Sequence, residues 1–139
     1  MTRKTRTGGR VLGIGVDLAE VDRIGAAADR HGDRFVARVL HAREVAAVER
    51  APDRRRALAE AFALKEAALK ALGTGWAGGA TFHEVERVEA TGRVRLRLHG
   101  ATADRARQLG ADRILASVAG RRRTVCAIVI LEGSRDPGG

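Results

Sequence analysis

The short apolar run Val11-Leu-Gly-Ile-Gly-Val16 stops at Asp17, and apolar residues then recur at helical spacing as Val21, Ile24 and Ala28. The run predicts a buried strand, and the wider spacing predicts a helix over 18–30. Phe35, Val36, Val39 and Leu40 continue a helical apolar face, and 42–50 reads as a further short helix. Pro52 suits the first position of a new helix, which runs to Leu72 without a glycine. Rich in Ala, Leu, Glu, Lys and Arg, it is the strongest helix in the chain. Leu58, Phe62, Leu69 and Leu72 mark its apolar stripe, and Gly73 ends it as a C′ residue. Beyond the glycine-rich stretch 73–79 the period changes to two. Phe82–Val88 reads as a strand, and in 93–98 Val94, Leu96 and Leu98 face one way while three arginines face the other. Ala90-Thr-Gly92 supplies the turn between them. A short helix over 102–109 precedes a second hairpin, 114–118 and 125–131, joined across Gly120-Arg-Arg-Arg123. This order predicts an α+β fold, a mostly antiparallel sheet packed on the long helix. One domain spans 10–132, between a basic tail at 1–9 and a frayed end at 133–139.

Hydrophobic residues make up 45% of the 139, too many for a disordered chain. No apolar stretch approaches the ~20 residues of a membrane span. The first ten residues carry four positive charges and no apolar segment, unlike a secretory leader. Cys126 stands alone, which excludes a disulfide scaffold and a multi-cysteine zinc site, and its apolar neighbours place it in the core. A soluble, cytoplasmic protein is expected. With 26 Lys and Arg against 17 Asp and Glu, the net charge is +9. An acidic partner is implied: nucleic acid, a membrane surface or an acidic protein. Three Phe, one Trp and no Tyr leave little for stacking on single strands, and the arginines are spread along the chain. Nucleic acid is thus the weaker choice, and a merely solvated Arg-rich surface fits the charge as well.

Gly13-Ile-Gly15-Val-Asp17 lacks the third glycine of a dinucleotide fingerprint, since Leu18 stands there. The glycine stretch after the long helix lies at a helix C-terminus, whose dipole repels phosphate. Asp17 follows an apolar run, which suits either the cap of the next helix, the commoner role, or a carboxylate presented at a strand end. Glu66 and Lys70 stand four apart, which suits a simple helix pair or a site at the border of the apolar stripe. One Asp from a strand and one Glu from a helix match the hard oxygen ligands that Mg²⁺ takes. A neighbouring lysine could neutralise phosphate charge or move a proton. The histidines at 31, 41, 83 and 99 are scattered and give no zinc pattern.

Two stretches resemble motifs of the holo-acyl-carrier-protein synthases: Gly13-Ile-Gly-Val-Asp17-Leu-Ala-Glu20-Val-Asp-Arg23-Ile24, and Phe62-Ala-Leu-Lys65-Glu66-Ala-Ala-Leu-Lys70-Ala-Leu-Gly73-Thr-Gly75. Length and element order agree over about residues 10–132. The resemblance implies a 4′-phosphopantetheinyl transferase fold and a homotrimer with sites between subunits. It implies Mg²⁺-dependent transfer of phosphopantetheine from coenzyme A to a serine of an apo carrier protein. Asp17 and Glu66 would be metal ligands, and Lys70 would contact phosphate and assist proton transfer. Lys65, Gly73, Thr74 and Gly75 would line the coenzyme A site, and Arg23 would meet the acidic carrier protein.

Three positions depart from the family pattern. Ala61 replaces an arginine, Val94 replaces the proline of a G-[KR]-P turn, and Gly120 replaces a histidine. Losses at 61 and 120 remove groups expected near coenzyme A. They motivate an alternative in which the fold docks carrier proteins and acts on an attached acyl chain, as a dehydratase or isomerase. A third alternative, a basic nucleic-acid-binding module, rests on charge alone.

Overall fold

Gly13 and Gly15 let a strand lie directly on a helix backbone. They belong to β1 (Arg10–Glu20), which crosses α4 (Arg54–Leu72). A Cβ at Gly13 would collide with the Ala71 carbonyl, and one at Gly15 with the Ala67 carbonyl. The Gly-x-Gly pattern is therefore a close-approach device between strand and helix.

The computed structural model describes residues 9–73, 81–90 and 93–134. After β1 come α1 (Val21–His31), α2 (Asp33–Val39), α3 (Ala42–Glu49) and α4. A single 3-10 turn at Phe82–Glu84 leads into β2 (Val85–Ala90), β3 (Arg93–Leu98), α5 (Gly100–Leu109), β4 (Arg113–Arg121) and β5 (Thr124–Gly133). Both sheets are antiparallel: three strands in the order β1-β5-β4, and the pair β2-β3.

Several expected boundaries move. The first strand continues through Asp17 to Glu20, and α1 starts only at Val21. Gly32, at φ 54°, separates α2 from α1 where one continuous face was expected. Asp53 caps α4 by accepting from the Arg56 N–H at 3.0 Å, so Pro52 lies ahead of the helix. Phe82 belongs to the 3-10 turn and β2 begins at Val85. Gly133 is the buried last residue of β5, and the Ser134 N–H donates to Asp112, so the ordered domain outlasts residue 132. Residues 1–8 and 135–139, and Thr91 and Gly92 of the expected turn, lie outside the described residues.

α4 is the centre of the core. Leu58, Ala59, Ala63, Leu64 and Ala67 are fully buried, and Val125, Ala127, Val129 and Leu131 of β5 pack the same core. In β1 the alternation sends Gly15 and Ala19 inward and leaves Ile14, Val16 and Leu18 exposed. The strand expected to be buried on both faces is thus covered on one. Cys126 pairs across from Leu18 on this outer face and is only half-buried, contrary to its expected place in the core.

Candidate active site

β1 runs against the direction of α4, with Gly13 at Ala71 and Gly15 at Ala67, so Asp17 comes level with Glu66 and Lys70. Lys70 Nζ donates to Asp17 Oδ1 at 2.9 Å and to the Val16 carbonyl at 3.1 Å. An ammonium has three donors, so one remains for a ligand. The Asp17 side chain is 15% exposed and that of Lys70 is 52% exposed, which puts the pair at a surface opening. Asp17 sits within the strand, paired with Ala127, and caps no helix. Glu20 precedes α1 without a side-chain cap, and the Val21 N–H donates instead to the Arg123 carbonyl at 2.8 Å.

Glu66 makes no ion pair with Lys70, because the lysine turns to Asp17. Burial raises the Glu66 pKa above the ordinary carboxylate value; the Asp17 charge raises it further, and Lys70 opposes both. Two carboxylates therefore face one opening with a single ammonium between them. This hard-oxygen donor set, with Glu66 outside the lysine's ion pair, suits a divalent magnesium ion.

Other expected site residues go elsewhere. Lys65 cannot line a ligand site: its side chain is 1% exposed, and Nζ donates to Glu44 Oε2 at 2.7 Å, the Phe82 carbonyl at 3.2 Å and the Val85 carbonyl. All three donors are used, and they tie α4 to α3 and to the start of β2. Burial lowers its pKa, and Glu44 opposes that shift. Gly73 is the left-handed C-cap of α4, at φ 69°, as expected. Thr74 and Gly75 lie outside the described residues. Arg23 is exposed on α1, beside Asp22.

The departures also have structural consequences. Ala61 is buried and borders a cleft of about 390 Å³ between α3, α4 and β2. At Gly120 a Cβ would collide with the Arg56 guanidinium, which lies over the strand. Arg56 Nη1 donates to the Arg122 carbonyl at 2.9 Å, and its Nε lies 3.5 Å from Glu60 Oε1. Sequence reasoning missed this arginine; its only signal was the run Arg54-Arg55-Arg56. It also missed Arg105, whose Nε donates to the Leu72 carbonyl at 3.0 Å and closes the end of α4.

A family model, the 4′-phosphopantetheinyl transferase superfamily, matches residues 13–129. The chain belongs to that superfamily. A holo-[acyl-carrier-protein] synthase of Solidesulfovibrio magneticus is 48% identical over 124 residues, 88% of this chain and 99% of that one. One of Nitratidesulfovibrio vulgaris is 46% identical over 123 residues, 88% of this chain and 98% of its own length. Among solved superfamily structures, the Neisseria meningitidis holo-[acyl-carrier-protein] synthase superposes with a TM-score of 0.81 at 30% identity, covering 88% of this chain and 99% of that one. The Chronobacterium ammoniagenes ACPS–CoA complex gives 0.75 at 26% identity, covering 88% and 98%. Within the matched residues, the Lys70–Asp17 contact brings the first and second motifs together beside Glu66.

Proposed function

We propose that this protein is a holo-acyl-carrier-protein synthase, moving 4′-phosphopantetheine from coenzyme A to a serine of an apo carrier protein. The observation that carries this reading is the Lys70–Asp17 contact beside Glu66, set in the superfamily fold. Asp17 and Glu66 would hold Mg²⁺, which supplies positive charge against the pyrophosphate when bound. Lys70 uses its remaining donor on a phosphate oxygen. Bond formation from the serine hydroxyl to phosphorus releases adenosine bisphosphate and requires a proton acceptor. With Glu66 engaged on the metal, that acceptor would be water at the opening. Positioning and charge stabilisation do most of the work in such transfers.

Arg56 supports coenzyme A as the donor, because it brings a guanidinium to the strand end where Gly120 carries no side chain. Exposed Arg23 and the +9 charge fit an acidic carrier protein, and a cytoplasmic location belongs to the same reading. The exposed apolar face of β1, with Ile14 59%, Val16 48% and Leu18 68% exposed, supports assembly into the homotrimer. Incubation with an apo carrier protein, coenzyme A and Mg²⁺ tests the activity by intact mass. A gain of one phosphopantetheine arm, abolished by EDTA, is expected. No gain across several apo carriers would overturn the reading in favour of action on acylated carriers.

A further inference from the structure

His41 and His99, 58 residues apart in the chain, stack face to face with ring centroids 4.8 Å apart and planes 14° from parallel. Between them and the core lies Glu86 of β2, whose side chain is 5% exposed. His99 Nε2 lies 2.7 Å from Glu86 Oε2, and one donor atom from each of the three residues falls within 4.8 Å of the others. The three come from different elements: the cap of α3, a β2 strand position and the junction of β3 with α5. Two of the four histidines that looked scattered in sequence thus converge on one buried carboxylate.

We propose that His41, Glu86 and His99 form a second metal site, for a zinc-class divalent ion. Two imidazoles and one carboxylate are borderline ligands that suit Zn²⁺ or Co²⁺, whereas the oxygen-only pair Asp17 and Glu66 suits Mg²⁺. Tetrahedral zinc with bonds near 2.1 Å needs donors roughly 3.4 Å apart, so the donor triangle must contract. The buried Glu86 is the fixed corner. Both histidines are half-exposed and lie beside helix ends, so their rings can turn until the two lone pairs meet. A fourth position is left for water.

Coordination replaces hydrogen bonds the cluster now makes. The His41 Nδ1 accepts from the Arg43 N–H at 3.2 Å, which leaves the ring proton on Nε2. Binding at Nε2 moves that proton to Nδ1 and ends the contact, while Glu44 still accepts from the His41 N–H at 2.6 Å. At His99 the ion replaces the proton shared with Glu86. Arg97, with Nη1 3.6 Å from Glu86 Oε2 and a side chain 52% exposed, must swing into solvent. The cleft bordered by Arg43, Glu44 and Glu86 gives the ion a path to the carboxylate. Once bound, it would clamp the start of α3 to the β2-β3 pair.

The test is titration of the EDTA-treated, dialysed protein with Zn²⁺ by calorimetry and with Co²⁺ by visible absorption. One saturable site is expected with excess Mg²⁺ present to fill the carboxylate pair, with a tetrahedral Co²⁺ spectrum. Affinity should fall about tenfold or more in His99→Gln and in Glu86→Gln. His41→Asn, which can still cap α3, should weaken binding similarly while circular dichroism reports an unchanged fold. Asp17→Ala should bind as the wild type does. Absence of saturable binding would overturn the proposal, as would binding that survives all three cluster variants and disappears in Asp17→Ala. Neither result bears on carrier-protein transfer, so the two readings stand or fall separately.

Discussion

Lys70 on α4 reaches Asp17 on β1 across 53 residues of sequence, with Nζ 2.9 Å from Oδ1. The contact exists because Gly13 and Gly15 bring β1 onto the helix backbone and leave Asp17 at its edge. Glu66, one turn earlier on α4, completes a carboxylate pair. We therefore expect Asp17→Ala, Glu66→Gln and Lys70→Ala each to lower the rate of phosphopantetheine transfer by about 100-fold or more. Chelation should abolish wild-type turnover. Carrier mass gain against time checks all four, and full activity in Asp17→Ala would refute the metal assignment.

Gly15→Ala should destabilise the fold at the upper end of the ~1–3 kcal/mol expected for overpacking, or beyond it, since the new methyl meets backbone that cannot turn aside. Urea unfolding monitored by circular dichroism gives the value. A midpoint equal to wild type would show that β1 does not need its glycine there.

Glu44→Gln tests the buried ion pair. Glu44 accepts from Lys65 Nζ and from the Arg87 N–H, and removing its charge leaves a buried ammonium without its counterion. A loss of about 3–5 kcal/mol is expected. The KM for coenzyme A of the folded fraction should not move, because Lys65 faces the core. A raised KM with unchanged stability would return Lys65 to the ligand site.

Val16→Asp should block assembly, because it places a charge in the apolar outer face of β1. Light scattering should give about three times 14.8 kDa for the wild type and one chain's mass for the variant. A wild-type monomer would leave that face to another occupant.

The Asp22–Arg123 pair should make stability depend on acid pH. The hydrogen bond from Arg123 holds the Asp22 pKa below its ordinary value; burial opposes it, and the charges of Arg123 and Arg55 add to it. Its contribution is therefore complete above the ordinary aspartate pKa and is lost as pH falls through the lowered one. Thermal unfolding between pH 5 and 2 should show a shallower acid limb in Asp22→Asn. An identical limb would mean that the pair joining α1 to the β4-β5 turn adds nothing.

Sequence alone was enough for the long helix, because helix propensity and the absence of glycine are local properties. It was enough for β3 as well, where alternation of Val94, Leu96 and Leu98 with arginines reports which face is buried. Both motifs carrying Asp17, Glu66 and Lys70 were legible, since motif residues are short-range neighbours. What covers a face was not legible. β1 shows the same apolar letters whether its outer side meets the core, another subunit or water, and only the tertiary structure shows Ile14, Val16 and Leu18 left open.

The destinations of charged side chains were likewise undecided. Lys65 and Lys70 lie five residues apart on one helix, yet one is sealed against Glu44 and the other opens to the surface with Asp17. Five residues turn a helix by about 140°, so the two lysines leave on different sides and meet different elements. Periodicity gave the angle between them. Only the packing of α3 on one side and β1 on the other decided that one lysine became structural and the other part of the site. The same holds for His41, Glu86 and His99, which no local pattern connects and which meet because α3, β2 and α5 fold onto one another.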